Sequence, residues 1–318
     1  MAIALVAAGC GSGTAAAPPA VRRAHRAQAP ARRARAVLHV VASRSLPAPV
    51  QLPALARAGA AVLAVGGLDA RDVSVPDVVR LAPGRPRRVG ALPQAIHDVG
   101  ATGLGGRAYA FGGGSASGPT AAISTISSGG RVNTAGRLPA ALSDATAVAL
   151  AGTAYVIGGY TTTTPLRSVL AFRPGRRVRD IATLPHPLRY AAAAALGGRV
   201  LVAGGTNGTT ARDEIVSIDP SRHRARVIGR LPVRLGHAAG AALGGTFYVL
   251  GGRGDGLSSQ RAAIWAVDPS TGRVRRAGRL PAALSDLGAI TADGRVLVAG
   301  GRDAQGVVHR ELWELARR

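Results

Sequence analysis

The stretch Ala195 to Thr209, ALGGRVLVAGGTNGT, runs a segment suited to a pleated strand, Val200-Leu201-Val202-Ala203, straight into two adjacent glycines. Glycine weakens a strand interior, so a doublet there needs a physical reason. The same ending recurs as AVLAVGG, RAYAFGG, TAYVIGG, RVLVAGG, TFYVLGG and again RVLVAGG, with doublets at 66/67, 112/113, 158/159, 204/205, 251/252 and 300/301. Successive doublets lie 46, 46, 46, 47 and 49 residues apart. A second marker, Leu-Pro, stands at 46/47, 92/93, 138/139, 184/185, 231/232 and 280/281. Each proline precedes the first glycine of its doublet by 19 residues in all six copies. Two markers locked at one offset define a repeat, and a repeat governs the reading of the rest of the chain.

Each copy reads as four strands. After Pro139 come DATAVAL (144–150), an Ala-Gly turn, TAYVI, a loop opened by the doublet, SVLAF (168–172), a Pro-Gly turn and RRVRDIATLP. The runs are short, apolar or alternating, and bounded by Gly, Pro or Asp, as strands are. Comparable turns are DPSRHR at 219–224 and DPSTGR at 268–273. Four-stranded units at this period predict an all-β fold, a β-propeller with six blades. The last copy, after Pro281, holds two strands and ELWELARR as a third, but no fourth. AVLHVVASRSLP, ahead of the first Leu-Pro, supplies it: Val40 stands seven residues before Pro47, as Val132, Val178 and Val274 stand before their prolines. An N-terminal strand joining the C-terminal blade closes the ring and removes its unpaired edges.

An apolar strand, Gly-Gly, a loop and then an Asp-Pro turn resemble the kelch repeat, over residues 36–318. Kelch repeats usually carry a Tyr before the turn and a Trp after it. Here those places hold Phe172, Ile218 or Val267, then Val178, Val227 or Val274. The departure matches an aromatic content of only 3% and implies thinner packing between blades. The resemblance implies a fold rather than one activity, because kelch propellers serve as binding scaffolds and sometimes as enzymes.

Composition closes several doors. All 40 basic residues of the 318 are arginine, against 16 acidic ones, for a net charge of +24. Abundant Ala, Gly, Arg, Val and Pro without lysine point to a GC-rich coding bias, and no aromatic-and-basic recognition motif accompanies the charge, so no nucleic-acid partner is expected. Without lysine there is neither a P-loop nor a Schiff-base amine. No nucleophile elbow or paired-histidine zinc motif occurs. The single cysteine, Cys10, allows no intrachain disulfide. It follows a short apolar run, MAIALVAAG, and this resembles a bacterial lipoprotein signal over residues 1–10, with Cys10 as the lipidated residue. Ala7 stands where Leu is usual and no positive residue precedes the run, as expected if the true start lies upstream. Residues 11–35, rich in Arg, Pro and Ala, read as a linker too polar to fold, whose arginines suit anionic headgroups. The expected address is the extracytoplasmic face of the membrane, with the propeller a monomer.

The resemblance places ligands where inner strands begin, around a central channel. The fifth residue after each proline is Leu52, Asp98, Asp144, Tyr190, His237 and Asp286; one position earlier stand Gln51, His97, Ser143, Arg189, Gly236 and Ser285. The candidate ligand-binding set is therefore Asp98, Asp144, Arg189, Tyr190, His237 and Asp286, a polar mouth for a hydroxyl-rich or cationic ligand. Polar strand starts at a solvated mouth, with Ser-Asp ending a turn, explain the same residues equally well. His97 is expected at the surface. Calcium needs six to eight oxygens, more than a wide ring supplies, and no metal or cofactor is expected. Arg253-Gly254-Asp255 spells an adhesion tripeptide, which in a Gly- and Arg-rich chain is expected by chance. The arginines of the outer strands suit edge protection.

Two functions follow. The first is a non-catalytic cell-envelope module that displays its loop face to a glycan or protein. The second is a sugar-modifying enzyme like the sialic-acid mutarotase of the kelch family, working in the channel through Asp98, Asp144, His237 and Asp286. A galactose-oxidase-like copper mechanism is excluded, because Cys10 lies outside the repeats.

Overall fold

The computed structural model describes residues 1–5, 9 and 36–318. Cys10 and the linker at 11–35 lie outside the described residues. The chain divides into two units, Met1–Ala34 and Arg35–Arg318, and among the described residues the second carries every sheet. Among the described residues it is all-β, without a helix, and its architecture is compatible with a β-propeller.

The strands follow the repeat. In the stretch around Pro139 and Gly158 they are Thr146–Leu150, Thr153–Ile157, Ser168–Phe172 and Arg179–Thr183, paired antiparallel in that order. Two further sheets, from Ala54 to Ala91 and from Ala192 to Arg230, share this four-stranded order. A five-stranded sheet adds the short Gly114–Ser115 to the same plan. An eight-stranded sheet consists of two four-stranded halves touching through one parallel pair, Leu38 with Gly278. In one half, Leu38–Ser45 pairs antiparallel with Glu311–Arg317, so the N-terminal segment supplies the strand that the C-terminal repeat lacks.

The innermost strands read ALARA, GATGL, TAVAL, AAAAL, AGAAL and GAITA. Each packs against the next, and the last, Gly288–Ala292, packs against the first, Ala54–Ala58, in a closed cycle. Small residues are required where backbones converge: a Cβ on Gly240 would stand 2.5 Å from the backbone of Ala193. Between neighbouring sheets lie separate apolar cores, such as Leu201, Ile215, Phe247, Val249 and Val267. Phe172, Ile218 and Val267 are buried, but Val227 is exposed, so part of the usual aromatic packing has no counterpart here.

The doublets have a specific task. In each, both glycines adopt left-handed φ. The second donates its N–H to a carbonyl three residues past the next Leu-Pro: Gly67 to Ile96, Gly113 to Leu142, Gly159 to Leu188, Gly205 to Leu235, Gly252 to Leu284 and Gly301 to Val50, all at 2.8–2.9 Å. The first glycine lies against that same carbonyl, where a Cβ would collide. The doublet is a backbone clamp between consecutive sheets, and its last copy ties the end of the chain to the beginning.

Candidate functional site

The clamp carbonyls precede the candidate residues by two positions, and so deliver them to one place. Leu52, Asp98, Asp144, Tyr190, His237 and Asp286 line a single cavity of about 160 Å³ at the start of the innermost strands. A second space of about 290 Å³ shares Leu55, Ala101, Ala147, Ala193, Gly240 and Ala289 with it, so the two form one bore, polar at this end. These six lining positions, Leu52 in place of the candidate Arg189, adopt left-handed backbone, with φ between 53° and 61°. They are linked in a belt: Asp144 donates its N–H to Asp98 (2.9 Å), Tyr190 to Asp144 (3.0 Å), His237 to Tyr190 (3.0 Å), Asp286 to His237 (2.9 Å) and Leu52 to Asp286 (2.6 Å). The left-handed region favours Asp and His over bulkier residues, so part of the polar character has a conformational cause. Leu52 bears that cost without such help.

The side chains form three connected pairs. Tyr190 donates its hydroxyl to Asp98 Oδ2 at 2.8 Å. Arg189 forms an ion pair with the buried Asp144 and lies over the Tyr160 ring, 4.1 Å from its centroid. His237 Nδ1 lies 2.5 Å from Asp286 Oδ1, while Arg253 Nη2 lies 2.9 Å from His237 Nε2. Arginine can only donate, so Nε2 is the acceptor, and Nδ1 carries the proton that His237 gives to Asp286. Ser285 donates to the other oxygen of Asp286 at 2.6 Å. The Tyr190 and His237 rings stack with centroids 3.9 Å apart, joining the pairs.

The carboxyls separate in acidity. Burial and the neighbouring Asp144 charge push Asp98 well above the usual carboxylate range, against the lowering effect of the Tyr190 hydrogen bond. Asp98 Oδ1 is buried without a partner, and a proton there makes it a donor. Asp286 goes the other way: burial raises it, but the His237 and Ser285 hydrogen bonds and the charge of Arg253 outweigh burial and hold it low. Burial and the charges of Asp98 and Asp144 raise the Tyr190 hydroxyl, which keeps it a neutral donor.

Several expectations change. His97 is not a free surface residue: its side chain is 25% exposed, Nδ1 pairs with Ser74 Oγ at 2.8 Å, and Nε2 lies 3.7 Å from Asp98 Oδ2. The clamp next to it turns it inward. Asp144 precedes its strand, which begins at Thr146, because its left-handed backbone breaks the pleat. Asp98 and His237, whose contact spacing left open, are each held by a different neighbour. Arg253 and Asp255 of the adhesion-like tripeptide face their own protein, Arg253 toward His237 and Asp255 accepting the Ala211 N–H at 2.5 Å. Arg253 and Tyr160 both follow a doublet directly, and that position bridges to the residue before each belt member. This register is the signal that would have assigned them to the mouth. No group of three or more metal-ligating side chains occurs among the described residues.

No protein-family model matches the sequence, and no curated protein matches it either.

Proposed function

We propose that the protein is a six-bladed kelch-type β-propeller that acts as a non-catalytic binding module of the cell envelope. In this reading Cys10 carries a lipid, residues 11–35 tether the ring beside anionic headgroups, and the channel mouth faces a hydroxyl-rich glycan or a protein. The blade count is supported by the closed cycle of innermost strands when the halves of the eight-stranded sheet are counted separately.

The observation that carries the binding role is the mutual pairing at the mouth. Asp144 with Arg189, and His237 with Asp286 and Arg253, hold one another in place as rigid polar groups. Preorganised donors and acceptors in a concavity suit recognition. A second reading, a sugar-modifying enzyme, draws on one fact: Asp98 and Asp286 are displaced in opposite directions, the pattern of an acid and a base.

Thermal unfolding of the full chain against monosaccharides and wall-glycan fragments tests the proposal. A ligand at about a hundred times its Kd adds roughly 2.7 kcal/mol, visible as a melting shift. A shift lost in Asp98→Ala/Asp286→Ala supports a glycan at the mouth; no shift with any sugar removes the glycan and leaves the protein partner. Anomeric exchange accelerated by wild type but not by that variant favours the enzyme. Cys10→Ser releases the protein into the soluble fraction if the anchor is correct, and a wild type that is already soluble refutes the anchor.

A further inference from the structure

A second concavity lies away from the channel, on the sheet built from Ala192–Leu196, Arg199–Ala203, Glu214–Asp219 and Arg224–Arg230. Its volume is about 150 Å³, and Arg199, Ser217, Asp219, Arg222, Arg224 and Arg226 line it. Strand register explains why they meet. Leu201 pairs with Ser217, Ser217 with Arg226, and Asp219 with Arg224. Side chains opposite one another, or two apart on a strand, share a face. Arg199, Ser217, Asp219, Arg224 and Arg226 therefore project from one side of the sheet, and Arg222 joins them from the turn.

Two differences from the flanking sheets accompany the space. The aligned cross-strand sets on the flanking sheets are Tyr155–Ala171–Arg179 and Tyr248–Ala266–Arg275. Both tyrosines are buried and occupy the ground above the small residue. Here the set is Leu201–Ser217–Arg226, with a shorter side chain in place of the ring and a hydroxyl in place of a methyl. Ser217 is 3% exposed, and its Oγ is buried without a hydrogen-bond partner. A buried hydroxyl without a partner is costly, and because Ser217 lines the concavity, turning its Oγ toward that space lets a ligand there satisfy it.

The charges say what that is. Asp219 is committed three times over: it caps the turn through Ser221, and it pairs with Arg199 at 3.1 Å and Arg222 at 3.5 Å. Arg224 and Arg226 have no acidic partner among the described residues. Four guanidinium groups face one carboxylate, so the concavity keeps a formal charge of +3 (4 − 1). Guanidinium forks and a hydroxyl match the tetrahedral oxygens of phosphate, and a charge beyond +1 favours a dianion over a carboxylate.

We propose that this concavity is a phosphate-binding site, with Arg224 and Arg226 as the principal cationic contacts and Ser217 Oγ as a donor to a phosphate oxygen. A soluble phosphomonoester and a lipid whose headgroup is itself a phosphomonoester present the same chemistry.

Titration of the full chain with inorganic phosphate, at constant ionic strength against chloride, tests it. Saturable binding with acetate at least ten-fold weaker is expected. Arg224→Gln/Arg226→Gln abolishes it, whereas Arg176→Gln/Arg177→Gln, in the corresponding turn of the preceding sheet, leaves it unchanged. Ser217→Ala separates a site from a merely solvated arginine face. It weakens phosphate binding several-fold, yet the ligand-free variant melts at the same or a higher temperature, because an unpaired buried hydroxyl has been removed. Glycerol phosphate in solution and vesicles containing phosphatidic acid then identify the source: competition by the first alone indicates a soluble ligand, and retention on the second indicates a headgroup. Absence of saturable phosphate binding, equal affinity for acetate, or wild-type affinity in Arg224→Gln/Arg226→Gln overturns the proposal.

Discussion

Gly301 donates its backbone N–H to the carbonyl of Val50 at 2.9 Å, joining the C-terminal sheet to the first one. Its neighbour Gly300, at φ 62°, faces the same carbonyl so closely that any Cβ would collide with backbone. Gly300→Ala should therefore cost roughly 3 kcal/mol or more, combining left-handed strain with overpacking. Gly294→Ala is the control. It has a similar φ of 74° but nothing within 4 Å of its Cβ, so only the conformational cost of about 1 kcal/mol applies. Urea unfolding of the two variants measures the difference, and equal losses would remove the clamp as a stability element.

Asp98 makes stability pH-dependent in an unusual direction. Its carboxyl is raised in the folded state by burial and by Asp144, so the folded protein holds this proton more tightly than the unfolded chain does. The contribution is fully present below the unfolded value of about 3.9 and fades as pH rises through the folded value. Asp98→Asn keeps a neutral side chain and abolishes that slope. Relative to wild type, it should gain stability as pH rises above the unfolded carboxyl value of about 3.9. Urea midpoints across this range report it, and parallel profiles for the two proteins would refute a neutral Asp98.

Leu38 stands at the seam between the halves of the eight-stranded sheet, paired with Arg317 on one side and Gly278 on the other. It is 1% exposed and packs with Leu280, Trp313 and Leu315. Leu38→Ala should cost about 3 kcal/mol. It should also promote association through the loosened edge of Glu311–Arg317, seen as larger species in light scattering. Val41, 43% exposed on the same strand, tolerates Ala within about 0.5 kcal/mol. If both variants lose stability equally, the seam is not where the closing strand does its holding.

Much of the site was readable in advance because a repeat copies geometry as well as residues. Counting five residues from each proline collected Asp98, Asp144, Tyr190, His237 and Asp286, which line one cavity. Their pairing was not readable. Tyr190 chooses Asp98 rather than the adjacent Asp144, and His237 chooses Asp286, through side-chain directions that spacing does not encode. The place of Arg253 at the mouth was not readable either, because it depends on the bridge from Arg253 to Gly236, one residue before His237.

The linear order of residues carries the local requirements: strand length, turn chemistry, and glycine wherever left-handed backbone must meet a neighbouring carbonyl. These act over a few residues and repeat with the period, so they are visible as a pattern. Contacts between copies belong to the folded chain alone. The opposite acidities of Asp98 and Asp286, and the room beside Ser217 where Leu201 replaces a ring, arise when separate copies share one buried space. Burial and proximity set those energies, and both exist only once the cycle of sheets has closed.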